Sequence, residues 1–312
     1  MRLFALAVVG RSTSRRLTVY PSGYQPSGHI YYPGTYVKEF DHLREGVLLF
    51  KDRLVESIKS VYGNADHMET KPQKWKEDRG LTWPELIPGR LIKRYKRFLA
   101  DVELADGVVV TAHCSNSGSM TACSEPGRPV YLSWHDNPKR KLKYTWEIIQ
   151  MPGSLVGVNT LIPNRLVKTS IENGCVAELA HYEKIRSEIQ TSKGSRLDLL
   201  LTDSHGAKCF VEIKNCTLVD NGVACFPDAV TKRGHKHLKE LERLHAEGHR
   251  CVMFYCIQRM DAESFRPADE IDRAYGETLR EAHIAGGVEI LVYDVWMDLK
   301  QIVLNRKIPF HL

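Results

Sequence analysis

Three polar side chains stand out because they interrupt apolar runs in which a charge is costly. Ser195-Arg196-Leu197-Asp198-Leu199-Leu200-Leu201 sets Asp198 among leucines, and Phe210-Val211-Glu212-Ile213-Lys214-Asn215 sets Glu212 and Lys214 around Ile213. A charge in such a run must be paired, hydrogen-bonded or metal-bound. Two carboxylates a few ångströms apart repel one another, and a hard divalent cation relieves that repulsion. Mg²⁺ accepts one or two carboxylates, keeps several waters and draws its other ligands from phosphate oxygens. Asp198 and Glu212 are therefore the candidate ligands of Mg²⁺ or Mn²⁺, and Glu188, in Ile185-Arg186-Ser187-Glu188-Ile189, is a candidate third carboxylate for the metal. A cation of this kind lowers the pKa of a bound water and neutralises charge on a phosphate under attack. Lys214 would orient that water or steady the developing anion, which makes Asp198, Glu212 and Lys214 the candidate catalytic set. On spacing alone, the simpler reading is a structural ion pair between Asp198 and Lys214.

The elements that must position these groups follow from periodicity. Strand side chains alternate faces, so Arg196 and Asp198 should share one side and Leu197, Leu199 and Leu201 the other; Glu212 and Lys214 likewise oppose Val211 and Ile213. A turn at Asp203-Ser204-His205-Gly206 would fold the two runs into a hairpin and bring the three charges to one sheet end. The surrounding pattern predicts a helix from Pro163 to Asn173 and strands at Tyr182–Ile189, Arg196–Thr202, Cys209–Lys214, Cys251–Gln258 and Val288–Asp294. Helices are expected at Ala229–Glu247 and Asp269–Ala285, which makes this half an α/β unit with a mixed sheet. It has the core order shared by restriction-type nucleases. Upstream, short alternating runs at Tyr95–Leu104, Gly107–His113, Pro129–Trp134 and Lys141–Ile149 predict a small antiparallel β-domain or barrel. Phe226-Pro227-Asp228 contains a literal Pro-Asp, but it follows the Glu-Ile-Lys strand; Asp228 reads as an N-cap or loop carboxylate.

The net charge of +6 over 312 residues is unevenly spread. Residues 1–80 carry 13 Lys and Arg against 9 Asp and Glu, leaving 31 against 29 in residues 81–312, so polyanion affinity must come from patches. Arg90, Lys93, Arg94, Lys96 and Arg97 form one, and Lys139, Arg140, Lys141 and Lys143 a second. Lys232, Arg233, Lys236 and Lys239 crowd the start of the helix at 229–247. Arg233 and His237 lie four apart on one helical face, suited to a phosphate. The candidate nucleic-acid contacts are Arg90, Arg94, Lys96, Arg97, Arg140, Lys141, Lys232, Arg233 and His237. Eight cysteines without a CxxC pair, several inside apolar runs, indicate reduced thiols and a cytoplasmic location. The sequence contains no apolar run long enough to cross a bilayer. His113, Cys114 and Cys123 lack a suitably spaced fourth zinc ligand. Residues 1–81 are turn-rich and free of acids as far as Val37, which predicts a poorly ordered extension and Met68 as an alternative start.

Leu86-Ile87-Pro88-Gly89-Arg90 through Phe98, His113-Cys114-Ser115-Asn116-Ser117-Gly118-Ser119-Met120, Ser195-Arg196-Leu197-Asp198, Glu212-Ile213-Lys214-Asn215, Phe226-Pro227-Asp228-Ala229 and Arg233-Gly234-His235-Lys236-His237 together resemble the sugar fermentation stimulation protein A family. Ser115 and Ser117 depart from the Pro and Thr expected in that loop. The resemblance implies an N-terminal OB-like β-barrel (82–152) followed by a PD-(D/E)xK restriction-endonuclease-like domain with a mixed sheet (153–312). It also implies DNA binding without sequence preference and a regulatory role in sugar (maltose) metabolism. Two readings follow: a DNA-binding regulator with a nuclease-like Mg²⁺ site, or an active Mg²⁺-dependent DNA or RNA nuclease. A third is a phosphate-ligand protein of another kind. A homodimer is compatible with each. In an OB-like barrel, Tyr95, Phe98, Trp134, Tyr144 and Trp146 are candidate stacking platforms for single strands.

Overall fold

The structure, a computed structural model, describes residues 79–312 together with two short strands, β1 (Leu6–Ala7) and β2 (Thr18–Val19), which pair antiparallel. Apart from those four residues, the irregular extension expected over residues 1–81 and the alternative start at Met68 fall, as far as residue 78, outside the described residues.

Residues 86–157 form six strands: β4 (Leu86–Tyr95), β5 (Leu99–Leu104), β6 (Val109–His113), β7 (Pro129–Trp134), β8 (Tyr144–Met151) and β9 (Ser154–Gly157). Their order is β6-β5-β4-β7-β8-β9, and a parallel pairing of Ala112 with Tyr144 and His113 with Thr145 joins β6 to β8. Strands β4 to β8 thus close a five-stranded barrel with OB connectivity, as the resemblance implied. Leu91, Val102, Leu132, Trp146 and Ile149 help to fill it. The five bases between Arg90 and Arg97 conceal that β4 is one ten-residue strand, which the alternation alone did not mark.

The second sheet has seven strands in the order β10 (Lys184–Ser192), β11 (Ser195–Thr202), β12 (Lys208–Cys216), β15 (Arg250–Ile257), β17 (Glu289–Met297), β18 (Gln301–Lys307), β3 (Leu81–Thr82). β12, β15 and β17 run parallel and the flanking pairs antiparallel, so the sheet is mixed. A side ladder of β13 (Leu218–Asp220), β14 (Val223–Phe226) and β16 (Ser264–Pro267) follows β12. Helix α1 (Ile162–Glu172) packs Leu166 and Val167 into the core on one face; α2 (Lys232–Ala246) and α3 (Asp269–Ile284) pack Leu238, Leu241 and Leu279 into the core on the other. Thr231, not Asp228, caps α2, its Oγ1 accepting the Gly234 N–H at 3.0 Å. All eight cysteines are free thiols. Among the described residues no helix is long and apolar enough to cross a membrane.

One departure from alternation creates the site. Leu199 and Leu201 enter the α1-side core as expected, but Leu197 enters the core under α2 and α3. Pairing of β11 with β12 runs only from Leu199↔Val211 to Thr202↔Lys208, so the two strands part at Asp198. On the neighbouring strand Glu188 sits at φ 58°, a left-handed residue opposite the same point. The sheet is split where the carboxylates meet.

Candidate metal centre

β12 itself keeps strict alternation. Val211 and Ile213 face the α1-side core, which sends Glu212 and Lys214 toward α2. Where β11 turns away, Asp198 takes over its backbone duties: Oδ2 accepts the Ile213 N–H at 2.7 Å, and Oδ1 accepts Nδ2 of Asn164, from the first turn of α1, at 2.7 Å. Oε1 of Glu212 accepts Nζ of Lys214 at 2.6 Å and Nδ1 of His237. Nε of Arg233 lies 3.4 Å from His237 Nε2. A guanidinium can only donate, which assigns the His237 proton to Nδ1 and the donation to Glu212.

Glu212 is 3 % exposed, and its Oε2 is buried without a hydrogen-bond partner. An unpartnered carboxylate oxygen in such a place costs far more than a satisfied one. Burial, and then the neighbouring Glu212 charge, push the Asp198 carboxyl up to about 7 despite Ile213, Lys214 and Asn164. Burial also works against the Glu212 charge, but Lys214 and His237 outweigh it and hold its pKa below the usual carboxylate value. Below about pH 7 the pair therefore holds a proton on Asp198 beside the charged Glu212, with one oxygen unsatisfied. A small oxygen-seeking divalent cation would satisfy that oxygen, screen the repulsion and take the place of the proton. Asp198 and Glu212 fit such an ion.

The remaining predicted residues divide into groups. Glu188 does not join the carboxylates: its side chain forms an ion pair with Arg196 at 2.7 Å, more than half exposed. Among the described residues no three His, Cys, Asp or Glu side chains are grouped to share a metal. His237 is not a surface phosphate contact; it is 4 % exposed and committed to Glu212. Arg94 is likewise internal in role, donating to the carbonyls of Arg97, Asn116, Gly118 and Ser119 at 2.8–3.2 Å. Arg90 donates to Gly127 O at 2.6 Å, and Arg140 to Thr145 Oγ1 at 2.8 Å. Lys96 and Arg97, at positive φ in the β4–β5 turn, and Lys141 in the β7–β8 loop are exposed, as are Lys232 and Arg233. Of the aromatic residues, Trp146 is fully buried and Tyr95 donates to Asp101, whereas Phe98 (47 %) and Trp134 (49 %) are exposed. Asn164 was missed; Pro163-Asn164 reads as a helix start, and only its position beside Asp198 reveals a second use.

The loop after β6 fastens the barrel to the segment that leads into α2. Ser119 Oγ donates to Asp228 O at 2.6 Å, and Met120 N to Asp228 Oδ2 at 3.1 Å. A Cβ on Gly118 would lie 2.8 Å from Asp228 Cγ. Gly118→Ala is expected to break this latch and cost roughly 1–3 kcal/mol, the usual penalty of overpacking; urea unfolding would measure it, and an unchanged midpoint would contradict the contact.

An OB barrel followed by a restriction-endonuclease-like sheet is the class of protein defined by these elements. Residues 92–158 match the domain described as SfsA N-terminal OB domain, and residues 161–301 the one described as Sugar fermentation stimulation protein RE domain. The chain belongs to the sugar fermentation stimulation protein family. It is 53% identical over 224 residues to the homolog of Geobacter sulfurreducens, covering 72% of this chain and 95% of that one. The Geotalea uraniireducens homolog is 55% identical over 227 residues, covering 73% and 97%. The solved structure of Pyrococcus furiosus SfsA in complex with Ca²⁺ is similar with a TM-score of 0.69 and 26% identity, over 75% of this chain and 99% of that one. The family membership and the fold expected from the sequence are both borne out.

Proposed function

We propose that the protein binds nucleic acid without sequence preference and hydrolyses its phosphodiester bonds with Mg²⁺ or Mn²⁺ held by Asp198 and Glu212. The observation that carries this reading is the buried, unpartnered Oε2 of Glu212 beside a second carboxylate. A protein that only bound a polyanion would gain nothing from two clustered carboxylates facing it. The Ca²⁺ complex of the Pyrococcus furiosus relative supports a divalent cation here. When bound, the cation would supply Lewis-acid stabilisation of the phosphate. Lys214, 11 % exposed and 2.6 Å from Glu212, would hold the attacking water and offset charge on the phosphate. His237 and Asn164 would fix the two carboxylates. Lys96, Arg97 and Lys141 would meet the backbone, and Phe98 and Trp134 would stack exposed bases, each stack contributing about 1–3 kcal/mol.

The test is labelled DNA or RNA incubated with Mg²⁺ or Mn²⁺, wild type against Asp198→Ala. Cleavage abolished by the substitution supports the enzyme. Salt-sensitive binding without cleavage would leave a DNA-binding regulator on a nuclease scaffold, and the relatives' name would then point that regulation toward sugar fermentation. Phe98→Ala with Trp134→Ala is expected to weaken single-strand binding at least tenfold while leaving duplex binding within threefold; anisotropy titrations would show equal losses for both if stacking is not involved.

A further inference from the structure

A cleft of about 570 Å³ opens between the β10–β11 hairpin and the start of α2. Gln190, Gly194 and Arg196 line it from the hairpin, and Lys232, Arg233, Lys236 and His237 from the helix. Four of the seven are permanent cations and none is an acid. Glu188 offsets Arg196 from outside the lining at 2.7 Å, and Lys236 donates to Gly194 O at 2.6 Å, holding hairpin and helix together. Lys232 is exposed and has no partner among the described residues. The wall nearest the cation site is the His237 imidazole, with one nitrogen on Glu212 and the other beside Arg233. One imidazole thus lies between a cation-rich cavity and the carboxylates.

We infer that this cleft holds the terminal phosphomonoester of a nucleic-acid strand and so directs the adjoining centre to strand ends. The argument is charge matching. An internal phosphodiester carries one negative charge, which one lysine on an open surface can meet. A phosphomonoester carries about −1.5 to −2 at neutral pH and presents three acceptor oxygens. Three cations in excess of acids, converging in a concave site with a planar guanidinium among them, suit that dianion. A flat basic stripe would serve a passing backbone better; here the charges are gathered at one point. The inference rests on the nucleic-acid-binding half of the function proposed above and is independent of turnover.

The experiment measures binding in EDTA, so that hydrolysis plays no part. Oligonucleotides of one sequence carry a 5′-phosphate, a 3′-phosphate or hydroxyls at both ends, and inorganic phosphate is titrated separately by ³¹P or ¹⁵N NMR. One phosphorylated end is expected to bind at least tenfold tighter than the hydroxyl-ended strand. That preference should fall in Lys232→Gln, which removes no contact among the described residues and melts at the wild-type temperature, and should vanish when Lys236→Gln is added. Equal affinity for all three ends, or a preference that survives the double substitution, overturns the inference while nucleic-acid binding stands. If inorganic phosphate perturbs the cleft resonances but no oligonucleotide binds, the anion site is upheld and the strand-end assignment falls together with the nucleic-acid reading.

Discussion

Glu212→Gln is expected to reduce affinity for Mg²⁺ and Mn²⁺ by more than about 100-fold and to take cleavage below detection, because it removes the charge behind the one unpartnered oxygen of the centre. The substitution should not unfold the protein. A glutamine carbonyl can still accept from His237 Nδ1 and Lys214 Nζ, and loss of the like charge makes it easier for Asp198 to ionise and balance the Lys214 charge. Melting in EDTA therefore stays near wild type. What disappears is the stabilisation by added metal, about 2.7 kcal/mol for the wild type at one hundred times its dissociation constant. A variant that is still stabilised by Mg²⁺ would remove Glu212 from the ligand set. A variant that melts far lower in EDTA would mean that the carboxylate serves packing and not a cation.

The second large effect is on pH. In the unfolded chain Asp198 titrates near 4, whereas in the fold burial and the Glu212 charge push it up to about 7. Between these values the folded, cation-free protein holds a proton that the unfolded chain has released. This group's contribution to stability is therefore present at low pH, is lost as pH rises from about 4 to 7 and is level above that, the reverse of an ordinary salt-bridged carboxylate. A cation held by Asp198 would have to displace the same proton. Its apparent affinity should fall by up to about tenfold per unit below pH 7 and be flat above it, with close to one proton released per ion at about pH 6. Calorimetric titrations in buffers of different ionisation enthalpy would count that proton. Asp198→Asn, which cannot titrate, should bind weakly at every pH with no proton release. Proton-independent binding by the wild type between about pH 5 and 8 would refute the pairing of these carboxylates.

Much of the centre was readable because β12 obeys a rule of two. Val211 and Ile213 go one way and Glu212 and Lys214 the other, as the spacing requires. The start of α2 was readable in kind, from its Leu238, Leu241 and Leu244 stripe, although the cap fell on Thr231. Where the sequence misled, a local backbone event or a distant partner was responsible. A single left-handed residue, Glu188, coincides with the reversal of Leu197, which period-two counting puts on the wrong face. His237 reads as one more base on a basic helix, because nothing in its neighbourhood announces a carboxylate 25 positions earlier. Arg94 reads as surface charge because its four carbonyl acceptors are in a turn and in a loop more than twenty residues away. β13, β14 and β16, at three or four residues each, are too short to leave a period. β18 loses its pattern at Asn305-Arg306-Lys307.

Before the barrel begins, Leu81 and Thr82 hydrogen-bond to β18 at the far edge of the second sheet, and Trp83 seals that junction, its indole donating to Asp298 O and its amide to Lys300 O. The barrel is consequently an insertion with two seams, one entering near residue 83 and one leaving near residue 158. It cannot be exchanged like a bead at the end of a string. Grafting another oligonucleotide-binding module onto this sheet would have to match both crossings at once, so module shuffling at this point should be rare and both seams should be inherited together.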